Sequence, residues 1–272
     1  MKEESRDLRS KGQRLGLVPT MGALHAGHVS LVRAARQQCD AVAASIFVNP
    51  TQFAPNEDFS KYPRTFERDC ELLEREGVDF LFAPTAEEMY PEPQVTWVTV
   101  EGLSDRLCGR ARPGHFRAVA TVVAKLFNIV EPEAAFFGQK DAVQLAVIRR
   151  MVRDLDLPVE IVAGAIVREA DGLALSSRNA YLSLEQRETA RVLYRSLMAA
   201  KRMFAGGERR TEKLVAAGKG AFSQEPSARL EYFEIVDPET LEPMAEIERP
   251  ALAAVAGFVG TTRLIDNVVL EP

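Results

Sequence analysis

Short apolar runs and amphipathic runs alternate along the first part of the chain, and this alternation constrains the fold more than any other feature. The runs LGLVPT, AVAASIFVNP and VDFLFAP have strand character. Helical patterns lie over Val29–Gln38, over Thr65–Glu76 before Gly77, over Phe116–Val130 and near Asp141–Asp154, with further strands at Ala134–Phe137 and Pro158–Ala163. Because strands that alternate with helices form parallel sheets with right-handed crossovers, the sequence predicts a doubly wound α/β fold.

The pattern changes after Asn179. The run SLEQRETARVLYRSLMAAKRMFAGG has helical periodicity and a capping box at Ser183 and Gln186, and a second helix is predicted over Thr211–Phe222. Three strand-like runs separated by Pro and Gly close the chain: RLEYFEIVDP, ALAAVAGFVG and TRLIDNVVLEP. We therefore expect a second, smaller α+β domain with an antiparallel sheet, with the boundary near Ser176–Tyr181, so that the domains cover residues 1–177 and 178–272.

Composition excludes several classes of partner. The 272 residues carry a net charge of −5, which disfavours binding to nucleic acid or to an anionic membrane. No run reaches the roughly 18 apolar residues of a membrane span, and the charged N-terminus lacks the apolar core of a signal peptide. The three cysteines form no C-x-x-C pair and fit neither a disulfide framework nor a zinc knuckle. We expect a cytoplasmic protein with reduced thiols.

Two of the three histidines lie in the glycine-rich segment TMGALHAGH, between the first predicted strand and a helix that opens near His28. The first turn of a helix has unpaired N–H groups and a partial positive charge, so such turns hold phosphates. His25 and His28, three residues apart, would share a face and donate hydrogen bonds to phosphate oxygens. A partial metal site or a capped surface turn is the alternative. Since only His115 remains as a third imidazole, the glycines favour phosphate.

The segment FFGQKDAVQL repeats the arrangement of strand, glycine and helix. A lysine at a helix N-terminus opposes the helix dipole, which makes a purely structural role for Lys140 less plausible than for an ordinary surface lysine. Its charge would offset the negative charge that grows on an α-phosphate during attack. In FVNPTQF, Gln52 follows the carboxyl edge of a strand, where open α/β sheets bind ligands, although a lone loop glutamine is ordinarily solvated.

Three further segments have both a functional and a structural interpretation. Ser176, Ser177 and Arg178 suit β- and γ-phosphate oxygens, or they form a hinge loop. The stretch from Arg106 to Val130 contains no acidic residue and is either a basic binding loop or a solvated helix face. Asp69 on the predicted helix of YPRTFERDCELL is a candidate magnesium contact or a solvated helix acid.

Taken together, these motifs resemble the pantothenate synthetase (pantoate–β-alanine ligase) family, within the class I nucleotidyltransferase superfamily marked by H-x-G-H. The resemblance runs through VPTMGALHAGH, SIFVNPTQF, YPRT, GHF, FFGQKDAVQL and READGLALSSRNAYL, and it spans nearly the whole chain. It implies a Rossmann-like first domain that binds ATP and pantoate, with a basic loop over the substrate pocket, and a C-terminal domain that closes as a lid.

The resemblance also implies roles for individual residues. It assigns catalysis to His25, His28 and Lys140, and ATP binding to Met21, Gly22, Ala23, Leu24, His25, Ala26, Gly27, His28, Gly138, Gln139, Lys140, Asp141, Val167, Leu175, Ser176, Ser177 and Arg178. Gln52 and Gln144 would bind pantoate, and Gln52 later β-alanine, while Asp69 would contact Mg²⁺. The sequence departs from the family pattern at Arg68, Ala118, Gln139, Val143 and Leu175.

The implied reaction is the ATP-dependent condensation of pantoate with β-alanine through pantoyl adenylate, releasing pyrophosphate and AMP. ATP with Mg²⁺, pantoate and β-alanine would be the small-molecule partners, and a homodimer is implied. One alternative is a nucleotidyltransferase of the same superfamily that couples a nucleotide to a phosphorylated acceptor. The other is a non-catalytic nucleotide-binding or RNA-binding module, which the net charge of −5 disfavours.

Overall fold

The first part of the chain forms a five-stranded parallel sheet. In the computed structural model, which describes residues 1–55 and 57–272, the strand order is β3-β2-β1-β4-β5. The strands are β1 (Leu15–Thr20), β2 (Ala41–Ile46), β3 (Phe80–Phe82), β4 (Ala134–Gly138) and β5 (Glu160–Gly164). β1 is buried along almost its whole length, as expected for a central parallel strand covered by helices on both faces.

The helices of this part are α1 (Lys2–Ser10), α2 (Ala26–Gln38), α3 (Phe66–Arg75), α4 (Ala86–Met89), α5 (Cys108–Ala111), α6 (His115–Val130) and α7 (Ala142–Asp154). The strongly apolar α6 and the amphipathic α2 and α3 agree with the predicted helices within a few residues. α1 was not predicted, because six of its nine residues are charged and Leu8 is its one apolar side chain. Tertiary contacts stabilise it: the buried Ser5 hydroxyl donates to the carbonyl of Val130 over 2.5 Å.

The strand order places the topological switch point between β1 and β4, which pair in parallel. From β1 the chain winds outward through β2 and β3, and then returns to add β4 on the other side of β1. Open α/β sheets bind ligands outside the carboxyl ends of the two strands at such a point. The histidine turn, residues 20–28, follows β1, and the glycine turn, residues 138–141, follows β4.

The last part of the chain forms a three-stranded antiparallel sheet of order β6-β7-β8, with β6 (Ala228–Val236), β7 (Ala251–Val259) and β8 (Thr262–Leu270). Its helices are α8 (Leu184–Ala190), α9 (Val192–Ala205) and α10 (Thr211–Phe222). Ser183 and Gln186 make the predicted reciprocal capping box at the start of α8. Apolar side chains of α9, α10 and the sheet form one core, centred on Leu193, Leu197, Leu214 and Phe233. The fold prediction, a parallel α/β sheet followed by a small α+β part, is confirmed.

The chain divides into two compact units, and this division differs from the predicted boundary after residue 177. The first unit comprises Met1–Gln139 and Val143–Ala165, and the second comprises Lys140–Ala142 and Ile166–Pro272. The second unit begins earlier than predicted because the acidic turn READG belongs to it. Arg187 of α8 donates over 2.5 Å to both Glu169 and Asp171, which fastens this turn to the second unit. Among the helices of the described residues, none is long and apolar enough to cross a membrane.

Candidate active site

The turn after β1 has a backbone shape that few sequences can adopt. Gly22 has a φ of +77° and Ala23 a φ of +51°, which places two consecutive residues in the left-handed region. Glycine adopts this conformation freely, but Ala23 is strained by it and must be held by its surroundings. The Thr20 hydroxyl fastens the start of the turn, since it accepts a hydrogen bond from Gly22 N at 3.1 Å and donates to the Ser45 carbonyl at 2.7 Å.

The carboxylate of Asp69, on the neighbouring helix α3, holds the middle of this turn. One oxygen accepts from Leu24 N at 2.9 Å, and the other accepts from Ala23 N at 2.8 Å and from the Thr65 hydroxyl at 3.1 Å. Asp69 is only 1% exposed, so these charge-assisted bonds form away from water, where they are strong. Asp69 therefore holds the strained backbone that presents the two histidines.

His25 and His28 cap the start of α2 with their Nδ1 atoms. His25 Nδ1 accepts from Gly27 N at 3.1 Å, and His28 Nδ1 accepts from His25 N at 3.3 Å. Because Nδ1 is an acceptor in both rings, the neutral tautomer of each carries its proton on Nε2. The ring centroids lie 4.2 Å apart, and both side chains are half-buried, so neither ring is buried in the hydrophobic core. Each ring is thus set up as an Nε2–H donor.

The glycine of the H-x-G-H segment is required by the close approach of a ring. A Cβ atom on Gly27 would lie 2.8 Å from Cε1 and 2.9 Å from Nδ1 of His25, so any larger residue would displace that ring. The first turn of α2 contains no acidic side chain that would neutralise the positive end of the helix dipole. The turn therefore combines a helix N-terminus with two imidazole donors, an arrangement suited to phosphate.

Gln52 lies in a short 3-10 helix, Pro50–Gln52, just after β2. It is 9% exposed, so it is not an ordinary solvated loop glutamine. Its Nε2 lies 2.9 Å from the sulfur of Met21, and its Oε1 accepts from the Asn49 amide at 3.3 Å. Tyr90 in turn donates its hydroxyl to Asn49 at 3.0 Å. The structure therefore brings Gln52 together with Met21 of the histidine turn.

Arg112, Glu57 and His115 form a polar cluster beside Gln52. Arg112 makes two hydrogen bonds of 2.6 Å to the Glu57 carboxylate, and His115 Nδ1 lies 2.8 Å from the Gln52 carbonyl. Burial by itself would raise the pKa of Glu57, but the hydrogen bonds and charge of Arg112 outweigh burial and lower it below its usual value of 4.5. The predicted basic loop is thus partly helical, in α5 and α6, and one of its arginines is paired with a carboxylate.

The segment after β4 contains Gly138 and Gln139, and a short 3-10 turn, Gln139–Asp141, leads into α7. Gln144 is half-buried in the first turn of α7. Two of the residues that depart from the family pattern, Ala118 and Val143, are buried at 1% and 5% exposure and pack as ordinary apolar side chains.

The second unit carries the remaining predicted nucleotide contacts. Lys140 is half-buried, and its Nζ lies 3.7 Å from the carboxylate of the adjacent Asp141. Val167 and Leu175 are opposite each other in a short hairpin, with Leu175 N donating to the Val167 carbonyl at 3.0 Å. This hairpin ends at Ser176, whose hydroxyl accepts from Arg178 N at 3.3 Å and caps the 3-10 helix Ser177–Tyr181. The segment after Ser176 is therefore helical rather than extended.

These residues do not form a magnesium site by themselves. Among residues 1–55 and 57–272, no group of three or more His, Cys, Asp and Glu side chains could hold a metal ion. Asp69 does not fit the role of a magnesium ligand, because its buried oxygens already accept three hydrogen bonds. The neighbouring Arg68 is exposed.

Sequence reasoning missed three groups of this site: the turn-holding role of Asp69, the Asn49 contact to Gln52, and the pairing of Glu57 with Arg112. Asn49 is the first residue of the NPTQF segment and Glu57 lies four residues after its end, and their proximity to Gln52 in the chain was the available signal. The role of Asp69 had no such signal, because it depends on how α3 packs beside β1.

We predict that Asp69→Asn lowers the free energy of unfolding by about 2 kcal/mol. The amide keeps the shape of the side chain but offers a donor where Ala23 N or Leu24 N needs an acceptor, so the histidine turn relaxes. Urea unfolding measures the effect. Arg68→Ala, an exposed neighbour on the same helix, is the control, and we expect its stability to lie within about 0.5 kcal/mol of the wild type. Equal behaviour of the two variants would contradict the role of Asp69.

Comparison with protein families and curated sequences gives one consistent result. The family model described as pantoate-beta-alanine ligase matches residues 1–269. A pantothenate synthetase from Acidobacterium capsulatum is 64% identical over 256 residues, which cover 94% of this chain and 86% of that protein.

Solved structures agree with the sequence comparison. A pantothenate synthetase from Thermus thermophilus superimposes with a TM-score of 0.93 at 51% identity and covers 98% of both chains. A pantoate-beta-alanine ligase from Francisella tularensis, solved with beta-gamma ATP and beta-alanine, has a TM-score of 0.77 at 32% identity and covers 98% of this chain and 95% of that one.

Proposed function

The chain belongs to the pantoate-beta-alanine ligase family, and we infer from this membership that it joins pantoate to β-alanine in an ATP-dependent reaction. The reaction has two steps. In the first, a carboxylate oxygen of pantoate attacks the α-phosphorus of ATP, the bond to the β-phosphate breaks, and pyrophosphate leaves. In the second, the β-alanine amine attacks the acyl carbon of the adenylate, loses a proton, and displaces AMP.

The observation that carries this function is the paired Nδ1 capping of His25 and His28. It turns both imidazoles into Nε2–H donors at the start of α2 and at the topological switch point. We assign both Nε2–H groups to the phosphate oxygens of ATP, together with the main chain of Met21–His28. Donors already in place when charge develops on the α-phosphate lower the barrier without further reorganisation.

The other predicted residues take complementary roles in this proposal. The Lys140 ammonium offsets charge on the α-phosphate, and Ser176, Ser177 and Arg178 bind the β- and γ-phosphates. Gly138, Gln139 and Asp141 complete the nucleotide contacts with Val167 and Leu175. These roles are supported by the chemical types of the side chains and by the local structure, since Ser176 and Arg178 lie in one helix cap.

Pantoate is proposed to bind Gln52 and Gln144 through its carboxylate and hydroxyl groups, and β-alanine later uses Gln52. The support is the position of Gln52, which is buried after β2 and touches Met21 of the proposed ATP segment. Holding the carboxylate near the α-phosphorus turns a bimolecular attack into an intramolecular one. No protein nucleophile is needed, so the residues act by position and charge.

Three further features are part of the proposal. We expect Mg²⁺ to arrive with ATP, held mainly by phosphate oxygens, and assign no step to it. A homodimer in the cytoplasm is proposed from the family resemblance, and light scattering after gel filtration measures the oligomeric state.

The nature of the products tests the function. With ATP, Mg²⁺ and pantoate, we expect pyrophosphate but no AMP, and AMP should appear once β-alanine is added. A nucleotidyltransferase would release pyrophosphate only when a phosphorylated acceptor is added in place of pantoate, and it would release no AMP. A non-catalytic nucleotide-binding module would release neither product, and formation of ADP would contradict the adenylate scheme. Chromatography of the nucleotides with a coupled pyrophosphate assay distinguishes these outcomes.

A further inference from the structure

Strand β8 carries two adjacent buried polar residues, Asp266 and Asn267, which are 4% and 2% exposed. Consecutive side chains of a strand point to opposite faces. Asp266 shares its face with Leu264 and Leu270, which belong to the hydrophobic core of the second unit, so Asn267 lies on the other face. Because burying an amide or a carboxylate is costly unless it is hydrogen-bonded, the partners of these two residues indicate what they do.

Arg168 pairs with Asp266 and also fixes the main chain of Asn267. Its guanidinium makes two hydrogen bonds to the Asp266 carboxylate, at 2.6 and 2.9 Å, and lies 4.8 Å from the ring centroid of Tyr194. Asp266 Oδ1 accepts from Asn267 N at 2.7 Å, and Arg168 donates to the Asn267 carbonyl at 3.1 Å. Both polar groups of the Asn267 main chain are thus held by one bidentate ion pair.

The side chain of Asn267 bonds to the main chain of Lys140. Its Nδ2 donates to the Lys140 carbonyl over 2.9 Å, across a separation of 127 residues in the chain. Lys140–Ala142 is the short segment that belongs to the second unit although the chain on either side of it, in β4 and α7, belongs to the first. The hydrogen bond from Asn267 is a specific link between this segment and the C-terminal sheet.

We propose that Asn267, held by the Arg168–Asp266 ion pair, is a positioning residue that fixes the main chain at Lys140 and so places its ammonium group for adenylate formation. The inference rests on the catalytic role proposed for Lys140. Arg168 adds a second link, because it also donates to the Gly172 carbonyl at 3.0 Å in the hairpin that leads to Ser176. None of the three residues contacts substrate in this proposal.

The test is the rate of pyrophosphate release by Asn267→Ala. We expect kcat for adenylation to fall about 10- to 100-fold, since small displacements of a catalytic group have effects of this size, with the KM for pantoate unchanged. Asn267→Leu retains the side-chain volume and should show the same loss, which separates the missing hydrogen bond from a cavity. Should both variants fail to fold by circular dichroism, Arg168→Lys, which keeps the charge but loses the bidentate geometry, is expected to give a smaller loss of the same kind.

The control is Thr211→Val, which removes another buried hydrogen bond of the second unit, from the Thr211 hydroxyl to the Met244 carbonyl, with the Ala245 carbonyl 3.0 Å from the same hydroxyl. We expect it to lower the melting temperature without changing kcat. A merely structural role for Asn267 would make its variants behave like Thr211→Val, and that result would overturn the inference.

A double-mutant cycle separates this inference from the proposed function. In a Lys140→Met background, Asn267→Ala should cause little further loss, because the group that it positions is absent. If Lys140→Met lowers kcat but the Asn267 effect persists in full in that background, Asn267 does not act through Lys140 and the inference is wrong. If Lys140→Met leaves kcat unchanged, the proposed role of Lys140 fails, and with it the basis of the inference.

Discussion

Replacing His28 with alanine is expected to slow adenylate formation by about 100- to 1000-fold, because it removes one donor from the developing charge on the α-phosphate. Loss of the Nδ1 contact to His25 N costs about 1 kcal/mol of stability, too little to unfold the protein. The measurement is the rate of pyrophosphate release with saturating ATP and pantoate.

Two conservative variants of His28 separate capping from catalysis. In His28→Asn the amide reaches the position of Nδ1, so the capping contact is retained and the Nε2–H donor is lost. In His28→Gln the amide reaches the position of Nε2, so a donor is retained. We expect the asparagine variant to be as stable as the wild type but as slow as His28→Ala, and the glutamine variant to recover part of the rate. An asparagine variant with near-normal pyrophosphate release would rule out the role assigned to Nε2.

Lys140→Met is expected to reduce kcat for adenylation by about 100- to 1000-fold with a small change in the KM for ATP. Methionine has nearly the length of lysine but no charge, so the variant removes the ammonium and leaves the apolar stem. An effect on kcat is expected because the ammonium acts on charge that grows in the transition state.

Whether the substitution changes kcat or the KM for ATP distinguishes two possible roles of Lys140. A rise in the KM for ATP with an unchanged kcat would mean that the lysine only binds the phosphates in the ground state. Lys140→Arg keeps the charge in a different geometry and should retain part of the activity.

Much of the architecture follows from local pattern. The run LGLVPT and the helix predicted over Thr211–Phe222 coincide with β1 and α10, because each element has one unbroken periodicity and clear ends. The unpredicted helix α1 is the opposite case, since its charged sequence has no periodic apolar face and its stability depends on contacts such as that of Ser5 with Val130.

In the candidate site, too, some features follow from local sequence and others depend on tertiary contacts. The phosphate binding proposed for TMGALHAGH follows from its glycines, its histidines and the start of a helix, because those features act within a few residues of one another. The burial of Gln52 and the pairing of Glu57 with Arg112 were not legible, since their partners lie up to 63 residues away. Asp69 is the clearest example: the sequence suggested a magnesium contact, and the packing of α3 makes its carboxylate the support of the histidine turn.

The sequence by itself determined the alternation of the main strands and helices, the family resemblance and the residues proposed for phosphate binding, because periodicity, turn residues and motif spacing are local properties of the chain. Only the tertiary structure decided which nitrogen of each imidazole carries the proton, which carboxylate holds the turn, and that Asn267 of β8 bonds to Lys140. The last two depend on hydrogen bonds between residues far apart in sequence, and such pairings exist only once packing has excluded water and brought donor and acceptor together. The imidazole hydrogen bonds are local, but they form on the strained turn that Asp69 holds.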